Sequence, residues 1–248
     1  MTQAIERPGA DAPVVNKPKP SKRPWPVEFA TSAVGMKWIM ALSGLALIGF
    51  VLAHAFGNLK VYFGAEDFDH YAESLRTLLY PIVPKTWVLW GMRIGLIVAF
   101  GAHIGSAIAL TRINQKARPV RYQSPRNYIA ANFASRSMRW TGIIVALFVL
   151  FHLADLTWGF ANPDFVRGDA YANLVASFDR LPVAIFYMLA NIALGIHLFH
   201  GTWSMFQSMG INSPRYNSAR RWIAGLVAAA ITVVNVSFPL AVTFGVVG

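Results

Sequence analysis

The stretch Val51-Leu-Ala-His-Ala-Phe-Gly-Asn-Leu-Lys-Val-Tyr-Phe-Gly64 decides how the rest of the chain is read. It sets one imidazole, His54, inside an apolar run long enough to cross a bilayer. An ionisable side chain in hydrocarbon is costly, and by default it marks a functional position. Three later apolar runs repeat the arrangement with His103, His152 and His197.

The surrounding composition agrees with that reading. The 248 residues are 55% apolar, with a mean hydropathy of +0.44. Five runs of roughly 20 apolar residues fall at about 36–58, 86–111, 138–160, 181–207 and 222–246. No alternating pattern suggests a barrel, so the predicted class is an all-α polytopic membrane protein with a four-helix core bundle. Residues 1–30 are polar and proline-rich, with Lys17, Lys19, Lys22 and Arg23 among Pro18, Pro20, Pro24 and Pro26, and read as a disordered or extended cytoplasmic arm ahead of a membrane domain over 31–248. There is no cysteine, hence no disulfide, thiolate ligand or cysteine nucleophile from this chain.

The net charge of +11 does not point to nucleic acid, because the basic residues fill alternate short loops. The connection from Arg112 to Arg139 holds seven Lys/Arg and no acid, and Arg215, Arg220 and Arg221 follow the fourth run. The other two connections carry Glu66, Asp67, Asp69 and Glu73, and three further aspartates. The positive-inside rule then predicts the amino terminus in the cytoplasm and the carboxyl terminus outside. Orientation assigns depth: His54 and His152 fall towards the outside, His103 and His197 towards the cytoplasm. Histidines facing inward at two heights of a four-helix bundle can hold a stacked pair of haems.

Other groups invite explanation. Gly49, Gly57, Gly101, Gly105, Gly195 and Gly201 lie near these histidines and either admit a flat macrocycle or let helices approach closely. Arg93, inside the second run, needs an anionic partner such as Asp155 or a haem propionate, or else snorkels to the interface. His200 lies one turn from His197 and either ligates in its place, meets a quinone or bonds to a carbonyl. Trp38, Ser43, His200 and Ser204 are the quinone candidates. No hydrolytic triad, phosphate loop or dinucleotide fingerprint is present, so no catalytic residue is predicted and any catalysis belongs to a complex.

His54-Ala-Phe-Gly-Asn-Leu with Tyr62-Phe-Gly64, the loop Asp69-His-Tyr-Ala-Glu-Ser-Leu75, Arg139-Trp-Thr-Gly142 followed by Phe151-His152-Leu, and Gly195-Ile-His-Leu-Phe-His-Gly-Thr-Trp-Ser204 with Gln207 and Gly210 are distinctive in combination. Over about residues 36–246 the chain resembles the five-helix cytochrome b anchor of the succinate:quinone oxidoreductase superfamily, which covers succinate dehydrogenases and quinol:fumarate reductases. The resemblance implies two haems b, the inner held by His103 and His197 and the outer by His54 and His152. It also implies a quinone, commonly menaquinone, and flavoprotein and iron–sulfur partners docked on the cytoplasmic face of a bacterial inner (plasma) membrane. Electrons from succinate would pass from the iron–sulfur partner to quinone, linking the tricarboxylic acid cycle to electron transport. Two other readings remain open at this point: a cytochrome b anchor of another respiratory dehydrogenase or hydrogenase, and a structural anchor without haem. An iron–sulfur centre using histidines here and cysteines from a partner is the alternative cofactor.

Overall fold

The computed structural model describes residues 23–117, 133–211 and 213–248. Most of the amino-terminal arm and the middle of the basic connection after Arg112 lie outside those residues. The end of the arm is helical rather than extended: α1 spans Trp25–Thr31, with Pro24 at its cap and Pro26 in its first turn, where proline is tolerated. Ser32 then accepts a hydrogen bond from the Gly35 N–H at 3.0 Å and caps α2, Ala33–Asn58. Gly35 lies so close to the Phe29 carbonyl that no Cβ fits there, which is what allows the corner between α1 and α2.

The long helices that follow are α4 (Trp87–Lys116), α5 (Phe133–Leu156), α7 (Leu181–Ser208) and α8 (Asn217–Thr243). Together with the α2 segment they give five helices long and apolar enough to cross a membrane. The third ends at Leu156, not at 160 as hydropathy suggested. There the Thr157 and Trp158 amides both turn back onto the Leu153 carbonyl, at 3.1 and 2.8 Å, and Gly159 adopts a φ of +86°.

Two short helices occupy connections that hydropathy alone leaves as loops: α3 (Ala65–Ser74) and α6 (Ala170–Asp179). Asp169 caps α6 through the Ala172 N–H at 2.8 Å. Asp69 of α3 reaches across and accepts from the Ala170 and Tyr171 amides at 2.8 and 3.0 Å. A carboxylate on free amides at a helix start meets both their hydrogen-bonding need and the positive end of the helix dipole. The Tyr71 hydroxyl, two residues on, packs into space that only a glycine at Gly57 leaves open. Asp69, Tyr71 and Gly57 in the distinctive motifs thus have a structural reason: they tie α2, α3 and α6 into one end of the bundle.

The helices run up and down, α2 against α4, α5 against α7, and α8 along α7, with α2 and α7 forming the seam between the two pairs. Large apolar side chains point outward, among them Ile97 at 69% and Val98 at 64% exposure, as suits a surface solvated by hydrocarbon. Association then relies on close packing and polar contacts. Asn235 donates to Asn191 across α7 and α8 at 3.0 Å, and Tyr62 donates to Ser237 at 2.6 Å. Each such bond contributes about 0.6–2 kcal/mol in a membrane. All eight tryptophans fall near helix ends: Trp87, Trp90 and Trp158 at the α3 end, the other five at the α1 end. That is the aromatic belt expected at two membrane interfaces.

Candidate functional site

The four histidines predicted as ligands meet in pairs. His103 of α4 and His197 of α7 have ring centres 6.4 Å apart, and His54 of α2 and His152 of α5 have theirs 6.0 Å apart. Two imidazoles on opposite sides of one metal ion, with metal–nitrogen bonds of about 2.0 Å, place their ring centres about 6.4 Å apart. Imidazoles on adjacent corners, at about 90°, would bring them to about 4.5 Å. Both spacings would suit two imidazoles that reach one metal ion from opposite sides. Among the described residues no three His, Asp or Glu side chains converge on one point.

Hydrogen bonds from neighbouring helices orient three of these rings. His103 Nδ1 lies 3.1 Å from the Met40 carbonyl and 3.5 Å from Ser43 Oγ, both on α2. His197 Nδ1 lies 3.3 Å from Thr141 Oγ1 on α5, with the Met138 carbonyl beside the ring. The Ser43 and Thr141 hydroxyls donate to carbonyls of their own helices, at 2.6 and 2.9 Å, and so are left to accept from the rings. With Nδ1 carrying the proton, Nε2 keeps its lone pair for a metal, the usual arrangement of a ligating histidine. Gly44 and Gly142 make room for the two rings, since a Cβ there would stand 3.2 Å from His103 Cε1 and 3.4 Å from His197 Cε1. Rings, acceptors and cradles together fit a haem at this level.

The second level is less symmetric. Tyr187 Oη lies 3.4 Å from His152 Nδ1, and Phe148 packs beside the same ring. His54 stacks on Phe50 of its own helix and takes its one hydrogen bond from Asn58 Nδ2, 3.3 Å from Nε2. Three helices agree on the separation of the levels. Ser43 to His54 and Thr141 to His152 are each eleven residues, and Tyr187 to His197 is ten. At 1.5 Å per residue these give about 15–17 Å.

The other candidates sort differently. Asp155 is not the partner of Arg93. It is fully buried and pairs with Arg180 at 2.5 Å, while Ser177 and Tyr187 donate to its other oxygen. Arg93 instead lies exposed on α4 with its guanidinium 5.2 Å from the Trp90 ring centre, because α4 packs chiefly against α2 rather than α5. Ser43 belongs with His103 as above. His200 borders an open groove of about 380 Å³ between α7 and α8, lined by Phe199, Gly225 and Thr232 among others, and its Nδ1 is buried without a partner. Trp38 and Ser204 are exposed near the α1 end. Of the glycines, Gly57 and Gly195 serve close packing, against Tyr71 and Thr232. Gly49, Gly101, Gly105 and Gly201 meet nothing within 4 Å, and Gly101 and Gly105, two residues either side of His103, face away from it.

The residues not singled out from sequence are Met40, Gly44, Met138, Tyr187, Ser177 and Arg180. A readable signal for the first three existed. Met40, Ser43, Gly44, Phe50, Val51, Leu52 and His54 recur as Met138, Thr141, Gly142, Phe148, Val149, Leu150 and His152, each 98 positions later. Gly101-Ala-His103 likewise recurs as Gly195-Ile-His197.

A family model described as succinate dehydrogenase/fumarate reductase transmembrane subunit matches residues 111–236, just over half of the chain. No curated protein and no solved structure matches. The matched segment takes in His152, His197 and His200 and the helices that pack them together. This multi-pass helical chain therefore belongs to the succinate dehydrogenase/fumarate reductase transmembrane subunit family, the membrane anchor to which that enzyme's other subunits attach.

Proposed function

We propose that this chain carries electrons from an iron–sulfur partner to quinone through two b-type haems, as the cytochrome b anchor of a succinate:quinone oxidoreductase. The observation that carries the reading is the pairing of four histidines at two levels, with ring centres 6.4 and 6.0 Å apart. Each haem, when bound, supplies one-electron transfer at its iron. The chain's own residues do the rest. His103 and His197, fixed by Met40, Ser43 and Thr141, hold one iron, and His54 and His152 hold the other.

Orientation follows from charge. Lys37, Arg112, Lys116, Arg139, Arg215, Arg220 and Arg221 gather at the α1 end, whereas Glu66, Asp67, Asp69, Glu73, Asp164 and Asp169 lie at the α3 end. The α1 end therefore faces the cytoplasm of a bacterial cell and receives the flavoprotein and iron–sulfur subunits. The His103/His197 level is then the one nearer to them. For the quinone, a menaquinone in this reading, the groove at His200 is the best supported position of the four candidates: it is apolar, of suitable size, and offers one unpaired imidazole nitrogen to a carbonyl oxygen.

The test is haem stoichiometry in the purified complex, by pyridine haemochrome and reduced-minus-oxidised spectra. Two haems b per complex are expected. His103→Ala and His197→Ala should each remove the same one, and His54→Ala or His152→Ala the other. A complex with flavoprotein and iron–sulfur partners but no b-type spectrum would sink the electron-transfer reading and leave a structural anchor.

A further inference from the structure

The buried cluster around Asp155 lies outside the set of ligands but touches one of them. Asp155 sits on the last turn of α5, three residues after His152, with no side-chain exposure. Arg180 Nη2 reaches its Oδ1 at 2.5 Å, Ser177 donates to Oδ2, and Tyr187 Oη is 2.9 Å from Oδ2. Arg180 is itself held by the Ala161 carbonyl at 2.8 Å. A buried carboxylate with a guanidinium at one oxygen is an acceptor only, so the single proton of Tyr187 points at Asp155. The Tyr187 oxygen then has only lone pairs to offer His152 Nδ1, 3.4 Å away. The imidazole must be the donor in that contact.

We propose that Asp155, acting through Tyr187, is the positioning group for His152. It fixes the Nδ1–H form of the ring, leaves the lone pair on Nε2, and strengthens His152 as an electron donor to a metal. The chain runs from carboxylate to phenol to imidazole. Its hydrogen bonds polarise one another, so the phenol oxygen next to Asp155 is a better acceptor than a free tyrosine. Outer partners of this kind raise the basicity of a ligating histidine and fix its ring plane. Among the described residues the other three histidines have no equivalent: His103 and His197 meet neutral carbonyls and hydroxyls, and His54 meets the Asn58 amide. A more basic ligand favours the ferric state, so the chain lowers the potential of the iron that His152 holds.

The inference rests on the haem reading above, and its test separates the two. Haem is counted first in the wild-type complex, and a complex without haem would overturn both at once. With two haems present, redox titration and low-temperature EPR of Tyr187→Phe are compared with wild type. Tyr187→Phe should keep both haems, raise the midpoint potential of the one that His152→Ala removes, and shift its ferric EPR signal, which reports the imidazole planes. The other haem should stay unchanged. Asp155→Asn, nearly the same size, should move the same haem in the same direction by less. Unaltered potentials and EPR signals in Tyr187→Phe, or a shift confined to the haem that depends on His103, would overturn the proposal.

Discussion

Replacing Asp155 by alanine removes the acceptor of three donors in one step, and the structure sets the size of the effect. The carboxylate has 0% side-chain exposure, its partner Arg180 has 27%, and they meet at 2.5 Å. Breaking a buried pair by deleting one partner costs about 3–5 kcal/mol, because the remaining charge is left uncompensated. The Ser177 hydroxyl and the Tyr187 phenol lose their acceptor too, each worth about 1–3 kcal/mol when buried. These terms overlap, since Arg180 keeps the Ala161 carbonyl, so about 3–5 kcal/mol is the net expectation. For a domain of this size that lowers Tm by about 6–20 °C. The control is chemically the same pair at the surface: Arg76 and Glu73 meet at 2.9 Å with 47% and 58% exposure. Glu73→Ala should cost no more than about 0.5 kcal/mol, as exposed pairs do. Thermal unfolding of the detergent-solubilised complex measures both. A drop of less than about 3 °C for Asp155→Ala, or an equal drop for Glu73→Ala, would refute burial as the deciding variable.

Three further substitutions separate the roles of glycine and aspartate in positioning the helices. Gly44→Ala puts a Cβ 3.2 Å from His103 Cε1, whereas Gly142→Ala puts one 3.4 Å from His197 Cε1, so the first should disturb its histidine more. A ring pushed off its rotamer costs about 0.5–1.5 kcal/mol, or about 2- to 13-fold in haem retention for Gly44→Ala, and haemochrome assays should show the smaller loss for Gly142→Ala. The reverse order would mean that the rings are not held against these glycines. Asp69→Ala leaves the Ala170 and Tyr171 amides without their acceptor, at a cost of about 1–2 kcal/mol. Amide exchange at the start of α6 should accelerate about 5- to 30-fold, and unchanged protection there would show that Asp169 caps the helix alone.

The long helices and the pairing of their histidines were legible because each rests on a strong local signal: apolar length for the spans, and position along an oriented helix for the depth. His103 with His197 and His54 with His152 follow from counting alone. The partner of Asp155 was not legible in the same way. Arg93 and Asp155 share a height, but height does not fix azimuth, and the pairing depends on α6, a ten-residue helix too short and too polar to stand out in hydropathy. Ser177 and Arg180 come from that helix and its end. Ser43 is one of the quinone candidates in the sequence; in the fold its proton goes to the Ile39 carbonyl and its oxygen faces His103. The groove at His200 depends on how α8 lies along α7, which periodicity cannot give.

The repeat at 98 positions explains both the symmetry and its failure. Each half is a long helix, a short helix and a long helix: α2, α3 and α4, then α5, α6 and α7. In each half a Ser-Gly or Thr-Gly step on the first long helix packs against the histidine of the second, so the His103/His197 level is built twice by one rule. The level of His54 and His152 depends instead on the short helices and their neighbours, which have diverged. α6 supplies Ser177 and leads into Arg180, and α7 supplies Tyr187, so His152 gains a charged anchor. α3 spends Asp69 on capping α6 and Tyr71 on Gly57, which leaves His54 with an amide of its own helix. Two similar halves would give four histidines in similar surroundings. The divergence of α3 and α6 sets His152 and His54 apart from the other pair and from each other, at the level farther from the α1 end.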